Sequence, residues 1–152
     1  MILILILTLM LTPMHAQARD CPEPVEVTYE EAQLLMKVAF CEAGNQGIEG
    51  QRYVMSVILN RVNSPEFPNS IKEVVYQPHQ FATKGIPGAE ITEETHRALA
   101  EIECGCVYPD IIGFEKKGNT GLEKYFVEAF RFRDHIFYKK GDIKGNATAS
   151  ND

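Results

Sequence analysis

Between Glu49 and Val62 the side chains of Tyr53, Val54, Val57, Ile58 and Val62 recur at steps of three and four. An α-helix brings such positions onto one face, because 3.6 residues complete a turn. A stripe of that kind has to be covered by other elements. Ser64-Pro65 ends the helix, since the residue before a proline is pushed out of the helical region.

Other helices follow from local signals. Thr28 with Glu31 three residues on is a capping box. Leu34, Leu35, Val38 and Ala39 continue it as an apolar stripe, and a left-handed residue at Gly44-Asn45 is expected to stop that helix. Ser70 with Glu73 opens a short helix through about Tyr76. Residues 77–91 hold two prolines and two glycines and are expected to form a loop. Thr92 caps a helix running to about Cys104, with Ala98, Leu99 and Ile102 inward and Gly105 as the stop. After Cys106 the segments Asp110–Phe114, Lys124–Phe130 and His135–Lys139 are aromatic and β-branched and read as short strands. The expected fold is α+β, mostly helical, a single domain with a few short strands in its C-terminal half.

The 152 residues divide unevenly. Residues 1–18 have the pattern of a secretory signal peptide, with an apolar run to Met14 and the small-x-small site Ala16-Gln17-Ala18. An uncleaved N-terminal anchor is the alternative. Residues 19–27 read as an extended lead-in, 28–140 as the one folded domain and 141–152 as a flexible Gly-, Asn- and Ser-rich tail. Export predicts a secreted, periplasmic or wall-associated protein with no stable membrane insertion once the leader is removed.

The four cysteines are Cys21, Cys41, Cys104 and Cys106. In an exported chain an even count suggests two disulfides. A direct Cys104–Cys106 bond would be strained. The expectation is therefore that Cys21 and Cys41 each reach one member of that pair, with free buried thiols as the alternative. No cysteine or histidine spacing suits zinc. Fifteen Lys and Arg against 21 Asp and Glu give a net charge of −6. That balance argues against non-specific binding to nucleic acid.

Glu42 is the residue that breaks its pattern. It follows Val38 by four positions and Leu35 by seven, which puts a carboxylate on the apolar face of the first helix. Burial raises a carboxylate's pKa, as a general acid working near neutrality requires. The alternatives are pairing with Arg52 or Arg61, or simple solvation at the helix end.

Residues 40–62 read FCEAGNQGIEGQRYVMSVILNRV and residues 67–81 read FPNSIKEVVYQPHQF. These stretches resemble the cell-wall hydrolase family that includes spore cortex-lytic enzymes. That family has a helix ending in E-A, a G-x-x-G-Q turn, a helix ending V-I-L-N-R-V, then F-P-x-S-I-x-x-V-[VI]-Y-Q and Q-F. His135-Ile136-Phe137-Tyr138 is similar to its terminal H-x-F-Y. The tyrosine- and asparagine-containing stretch before that terminus has no clean counterpart here, although Phe114 stands in that region. The resemblance implies a lysozyme-like fold and an exported enzyme acting on peptidoglycan glycan strands as a monomer, in vegetative wall or spore cortex. It puts the catalytic glutamate at Glu42, a cleft-bordering segment at Gln80 and Phe81, and a closing motif at His135 and Tyr138. Gly47, Gly50 and Gln51 fall on the turn, and Asn60 and Arg61 on a structural helix end. Cys41 is expected to point away from the catalytic face.

Glycosidases of this kind commonly use two carboxylates. Glu49 falls in the turn, and Asp110 and Asp134 lie where the resemblance is poor, so no second candidate presents itself. A single glutamate fits a lytic transglycosylase that cleaves the bond between N-acetylmuramic acid and N-acetylglucosamine without metal or cofactor. The alternative is a non-catalytic homologue that binds peptidoglycan or modulates another lytic enzyme.

Overall fold

The computed structural model describes residues 23–119 and 121–141. The expected signal peptide, Cys21 and the tail beyond Gly141 lie outside those residues. Four helices precede three strands: α1 (Tyr29–Ala43), α2 (Gly47–Val62), α3 (Ile71–Val75), α4 (Glu93–Glu103), β1 (Ile111–Lys116), β2 (Val127–Phe132) and β3 (His135–Lys139). The chain is a mostly helical α+β fold.

The helix starts are set locally. The Glu31 amide donates to Thr28 Oγ1 at 3.3 Å and the Thr28 amide donates to Glu31 Oε2 at 2.9 Å, closing the capping box of α1. Ser70 accepts from the Glu73 amide and Thr92 from the Thr95 amide in the same way. Two boundaries differ from expectation. α1 ends at Gly44 in a right-handed conformation, and the positive φ, 72°, falls at Gly47 instead. The left-handed kink thus opens α2 rather than closing α1, and α2 begins two residues before Glu49. The loop at 77–91 contains a 3-10 turn, Thr83–Gly88, anchored by buried Ile86.

α2 lies at the centre. Its Val54, Met55 and Ile58 join Leu35, Val38 and Ala39 of α1 and Ala98, Leu99 and Ile102 of α4 in one core cluster. Its Tyr53 and Val57 turn the other way, into a second cluster with Ile111 and Phe137 of the sheet. Rings from Tyr108, Phe130, Phe132 and Phe137 surround Tyr53 with centroids 4.9–5.4 Å away. A helix buried on both sides has to satisfy its polar groups internally. Ser56 accepts from the Tyr108 amide at 3.0 Å, Asn60 Nδ2 donates to the carbonyls of Tyr108 and Ile111, and Arg61 Nε donates to the Ile112 carbonyl at 2.7 Å. These bonds fasten the chain from 108 to 112 to the helix.

The sheet is antiparallel in the order β1-β3-β2. β2 starts at Val127 rather than Lys124, because Leu122–Lys124 form a second 3-10 turn. The turn between β2 and β3, Arg133-Asp134, docks on the link between α1 and α2. Gln46 Nε2 donates to Asp134 Oδ2 at 3.0 Å and the Asp134 amide donates back to Gln46 Oε1 at 3.2 Å. A Cβ at Gly50 would overlap Gln46 Cβ and sit 3.3 Å from the Phe132 ring, so the backbone needs glycine there.

The expected disulfides are absent among the described residues. Cys41, Cys104 and Cys106 are free thiols, the first half-buried and the others exposed. Cys41 Sγ faces Gly85 in the 3-10 turn, whereas Cys104 and Cys106 follow the C-terminus of α4. No helix among the described residues is long and apolar enough to cross a membrane.

Candidate active site

The last turn of α1 carries Glu42 to the edge of the helical core, where it is half-buried. Its Oε1 accepts a hydrogen bond of 2.5 Å from the Ala82 amide. Burial pushes its pKa up, and the Ala82 amide pulls the other way by favouring the anion. Neither arginine considered from the sequence pairs with it. Arg52 lies 3.9 Å from Glu49 and 3.3 Å from Glu101, and Arg61 turns to Gln80.

The segment opposite Glu42 is turned back by His79, whose φ is 64°. It then presents Gln80, Phe81 and Ala82 in succession. Gln80 Oε1 accepts from Arg61 Nη1 at 2.9 Å. The Phe81 ring lies 5.4 Å from the Arg61 guanidinium carbon and 6.1 Å from the Phe114 ring. Ala82 holds Glu42. The tripeptide is thus fixed at one end by a carboxylate and at the other by a guanidinium.

A pocket of about 470 Å³ is lined by Cys41, His79, Phe81, Ala82, Thr83, Lys84 and Gly85; Glu42 is not in its lining but adjoins it through its neighbour Cys41 and its partner Ala82. Cys41 lines this pocket where Glu42 does not, and the 79–85 segment wraps the end of α1, with Gly85 beside the Cys41 sulfur and the Ala82 amide on the Glu42 carboxylate. Burial, and then the charge of Glu42, raise the pKa of this thiol. A larger cavity of about 800 Å³ at the α2–α3 link includes neither Glu42 nor the segment opposite it. Size alone does not pick the chemistry.

His135 continues the contacts across the sheet. Its ring is 7% exposed and packs edge-on to Phe114 at 5.2 Å. Its Nδ1 is buried without a hydrogen-bond partner. Burial lowers its pKa, Asp134 opposes that and Lys116 adds to it. Glu42, Ala82, Phe81, Phe114 and His135 therefore form one continuous line.

Tyr138 stands apart from that line. Side chains alternate along a strand, so Tyr138 faces the side of β3 opposite His135 and Phe137. It is 2% exposed, and its hydroxyl donates to Glu115 Oε1 at 2.5 Å. Burial and the Glu115 carboxylate both raise the phenol's pKa. Glu115 Oε2 accepts from the amides of Gly121 and Leu122 at 3.1 and 3.3 Å. Glu115 went unrecognised in the sequence because every partner it has is remote or belongs to a turn. Arg61 was read as part of a helix end or as a partner for Glu42, and the structure ties it to Gln80 instead. Among the described residues no group of three or more His, Cys, Asp and Glu is placed to hold a metal ion.

Residues 45–138 match the cell wall hydrolase family. Gln80, Phe81, His135 and Tyr138 fall inside that span, and Glu42 lies just before it. The spore cortex-lytic enzyme of Oceanobacillus iheyensis is 36% identical over 97 residues, which cover 64% of this chain and 33% of that protein. The spore cortex-lytic enzyme of Bacillus subtilis is 37% identical over 73 residues, covering 46% of this chain and 24% of that protein. The chain thus spans about a quarter to a third of the length of these relatives. The crystal structure of the catalytic domain of the Bacillus cereus SleB protein superposes with a TM-score of 0.64 at 23% identity, over 76% of this chain and 94% of that one. The catalytic domain of the germination-specific lytic transglycosylase SleB from Bacillus anthracis does so with a TM-score of 0.64 at 21% identity, over 76% and 99%. The shared architecture is lysozyme-like. With its match covering more than half of the sequence, this chain belongs to the cell wall hydrolase family.

Proposed function

We propose that this chain cleaves the glycan strands of peptidoglycan as a lytic transglycosylase, with Glu42 as its acid and then its base. The observation that carries this reading is the state of one carboxyl group. Glu42 is half-buried, its pKa is raised, and among the described residues only Oε1 is engaged. Oε2 remains free to hold a proton toward a substrate.

In this scheme Glu42 donates its proton to the glycosidic oxygen between N-acetylmuramic acid and N-acetylglucosamine, and the C1–O bond breaks. The substrate's own acetamido oxygen stabilises the cation that develops at C1. The Glu42 carboxylate then takes the proton of the C6 hydroxyl as O6 bonds to C1. A 1,6-anhydromuramyl end results, no water is consumed, and Glu42 is protonated again. Phe81, beside the pocket, supplies an apolar surface for a pyranose ring. His135 backs Phe114 and, with its pKa lowered, stays neutral near pH 7. Tyr138 acts from beneath the surface, by holding Glu115.

A second carboxylate working as base or nucleophile would favour ordinary hydrolysis. Glu115 is poorly suited, since both its oxygens are occupied and its partner Tyr138 faces away from His135. The Bacillus anthracis neighbour, described as a lytic transglycosylase, is consistent with the single-glutamate scheme. Export, and action outside the cytoplasm on wall or cortex, follow from the same reading.

The test is mass spectrometry of purified peptidoglycan digested with the wild-type chain and with Glu42→Gln. Anhydro ends from the wild type and none from the variant are expected. New reducing ends would replace the transglycosylase with a hydrolysing muramidase. Undiminished release by the variant would remove Glu42 from the chemistry. Binding with no product from the wild type would indicate a non-catalytic homologue.

A further inference from the structure

Arg61 is 5% exposed, and among the described residues it pairs with no carboxylate. Burial without a counter-ion pushes its pKa down to about 10. Such a group is costly to keep, and its hydrogen bonds should repay scrutiny. Nε goes to the Ile112 carbonyl, which holds β1. Nη1 goes to the side chain of Gln80, an exposed residue in the segment that faces Glu42. The guanidinium carbon lies 5.0 Å from the centre of the Phe67 ring and 5.4 Å from that of Phe81.

The chemistry of this pair fixes a direction. A guanidinium carries only donors, so the amide oxygen of Gln80 has to face it. The NH2 end of the amide must then face outward. Among the described residues that Nε2 donates to nothing. A glutamine free in solvent can present either end, but this one presents a donor. It does so from an exposed position between His79 and Phe81, at the edge of the pocket that those two residues line and two positions before the Ala82 amide that holds Glu42.

From this arrangement we propose that Arg61 is a positioning residue that turns Gln80 into a fixed N–H donor for the carbonyl oxygen of a 2-acetamido group on the glycan. The inference rests on the peptidoglycan reading above. It adds which atom of Gln80 meets the substrate, which substituent it meets, and what holds it there. Acetamido carbonyls are the strongest neutral acceptors on such a strand, and the donor matches them.

Replacing Gln80 with Glu separates this role from a structural one. A carboxylate accepts from Arg61 at least as well as an amide does, through a charge-assisted bond. It has no donor to offer outward. On a soluble tetrasaccharide of alternating N-acetylglucosamine and N-acetylmuramic acid, Gln80→Glu should raise KM at least roughly fivefold, the scale of one lost hydrogen bond. Its kcat should change much less, and its Tm should not fall. On the same tetrasaccharide with its acetyl groups removed, which lacks the oxygen that assists cleavage, the Kd of the variant and that of the wild type by titration calorimetry should converge. Arg61→Met should also raise KM on the acetylated sugar, and should raise it no further in the Gln80→Glu background. An unchanged KM in Gln80→Glu would overturn the proposal. So would a lowered Tm, an affinity gap that survives deacetylation, or additive effects of the two substitutions. If Arg61→Met does not fold, Gln80→Glu decides alone. Should the wild type leave the tetrasaccharide uncut, the proposed chemistry fails, and the Kd values of wild type and Gln80→Glu by titration calorimetry still decide the role of the amide.

Discussion

The Ala82 amide and the Glu42 carboxylate, forty positions apart, are joined by a hydrogen bond of 2.5 Å that ties the 3-10 segment to the end of α1. This bond favours the anion, against the burial that favours the acid. Ala82 has a φ of −74°, which proline can adopt. Ala82→Pro removes the donor and should raise the pKa of Glu42 further. The alkaline limb of the pH–rate profile on peptidoglycan is expected to move to higher pH.

Glu42 should also weigh on stability. Its folded pKa lies above the ordinary value of 4.5, so between those two values the native state binds more protons than the unfolded chain. Stability therefore falls as pH rises through that window. Glu42→Gln removes the effect. The variant is expected to melt higher than the wild type at pH 7, and the gap should close below about pH 4 in thermal scans across pH.

Tyr138 and Glu115 make a buried pair whose loss can be measured. Tyr138→Phe keeps the ring and deletes the donor to a carboxylate, a change worth about 1.5–3 kcal/mol. Glu115 keeps its two amide partners, so the cost should fall in the lower part of that range. Urea unfolding should show a lower midpoint with an unchanged slope.

Gly50 allows the helical and sheet parts to meet. In Gly50→Ala the new methyl collides with Gln46 and crowds Phe132. Overpacking of this kind typically costs about 1–3 kcal/mol. The same substitution should loosen the Gln46–Asp134 pair, which amide hydrogen exchange at Asp134 would register.

The legible parts of this chain were those whose cause is local. Thr28 and Glu31 are three residues apart, so the start of α1 could be read from the sequence. The stripe of α2 declared a buried helix in the same way. The short strands were recognisable by their residues, but the order β1-β3-β2 was not, because pairing depends on which edges meet. Glu42 stood out as a carboxylate on an apolar face. Arg61 with Gln80, and Tyr138 with Glu115, lie 19 and 23 positions apart and gave no periodic signal. The contact of Cys41 with Gly85 was not legible, because a helical wheel shows one helix and not the segment that wraps its end. The bridge expected from Cys41 to Cys104 or Cys106 is absent, since counting cysteines says nothing about where the fold puts them: Cys41 meets Gly85, and the other two follow the end of α4.

The tether on Glu42 has a stereochemical consequence. In the proposed transglycosylation, with Oε1 committed to Ala82, giving and taking the proton both fall to Oε2, on one side of the sugar. In a β-linked strand the departing oxygen and O6 of the same ring both lie on that upper side of C1. One unrotated carboxyl edge can serve both, and that scheme requires retention of the anomeric configuration. Bond breaking must then run ahead of bond making, with the acetamido oxygen shielding C1 from below until O6 swings over.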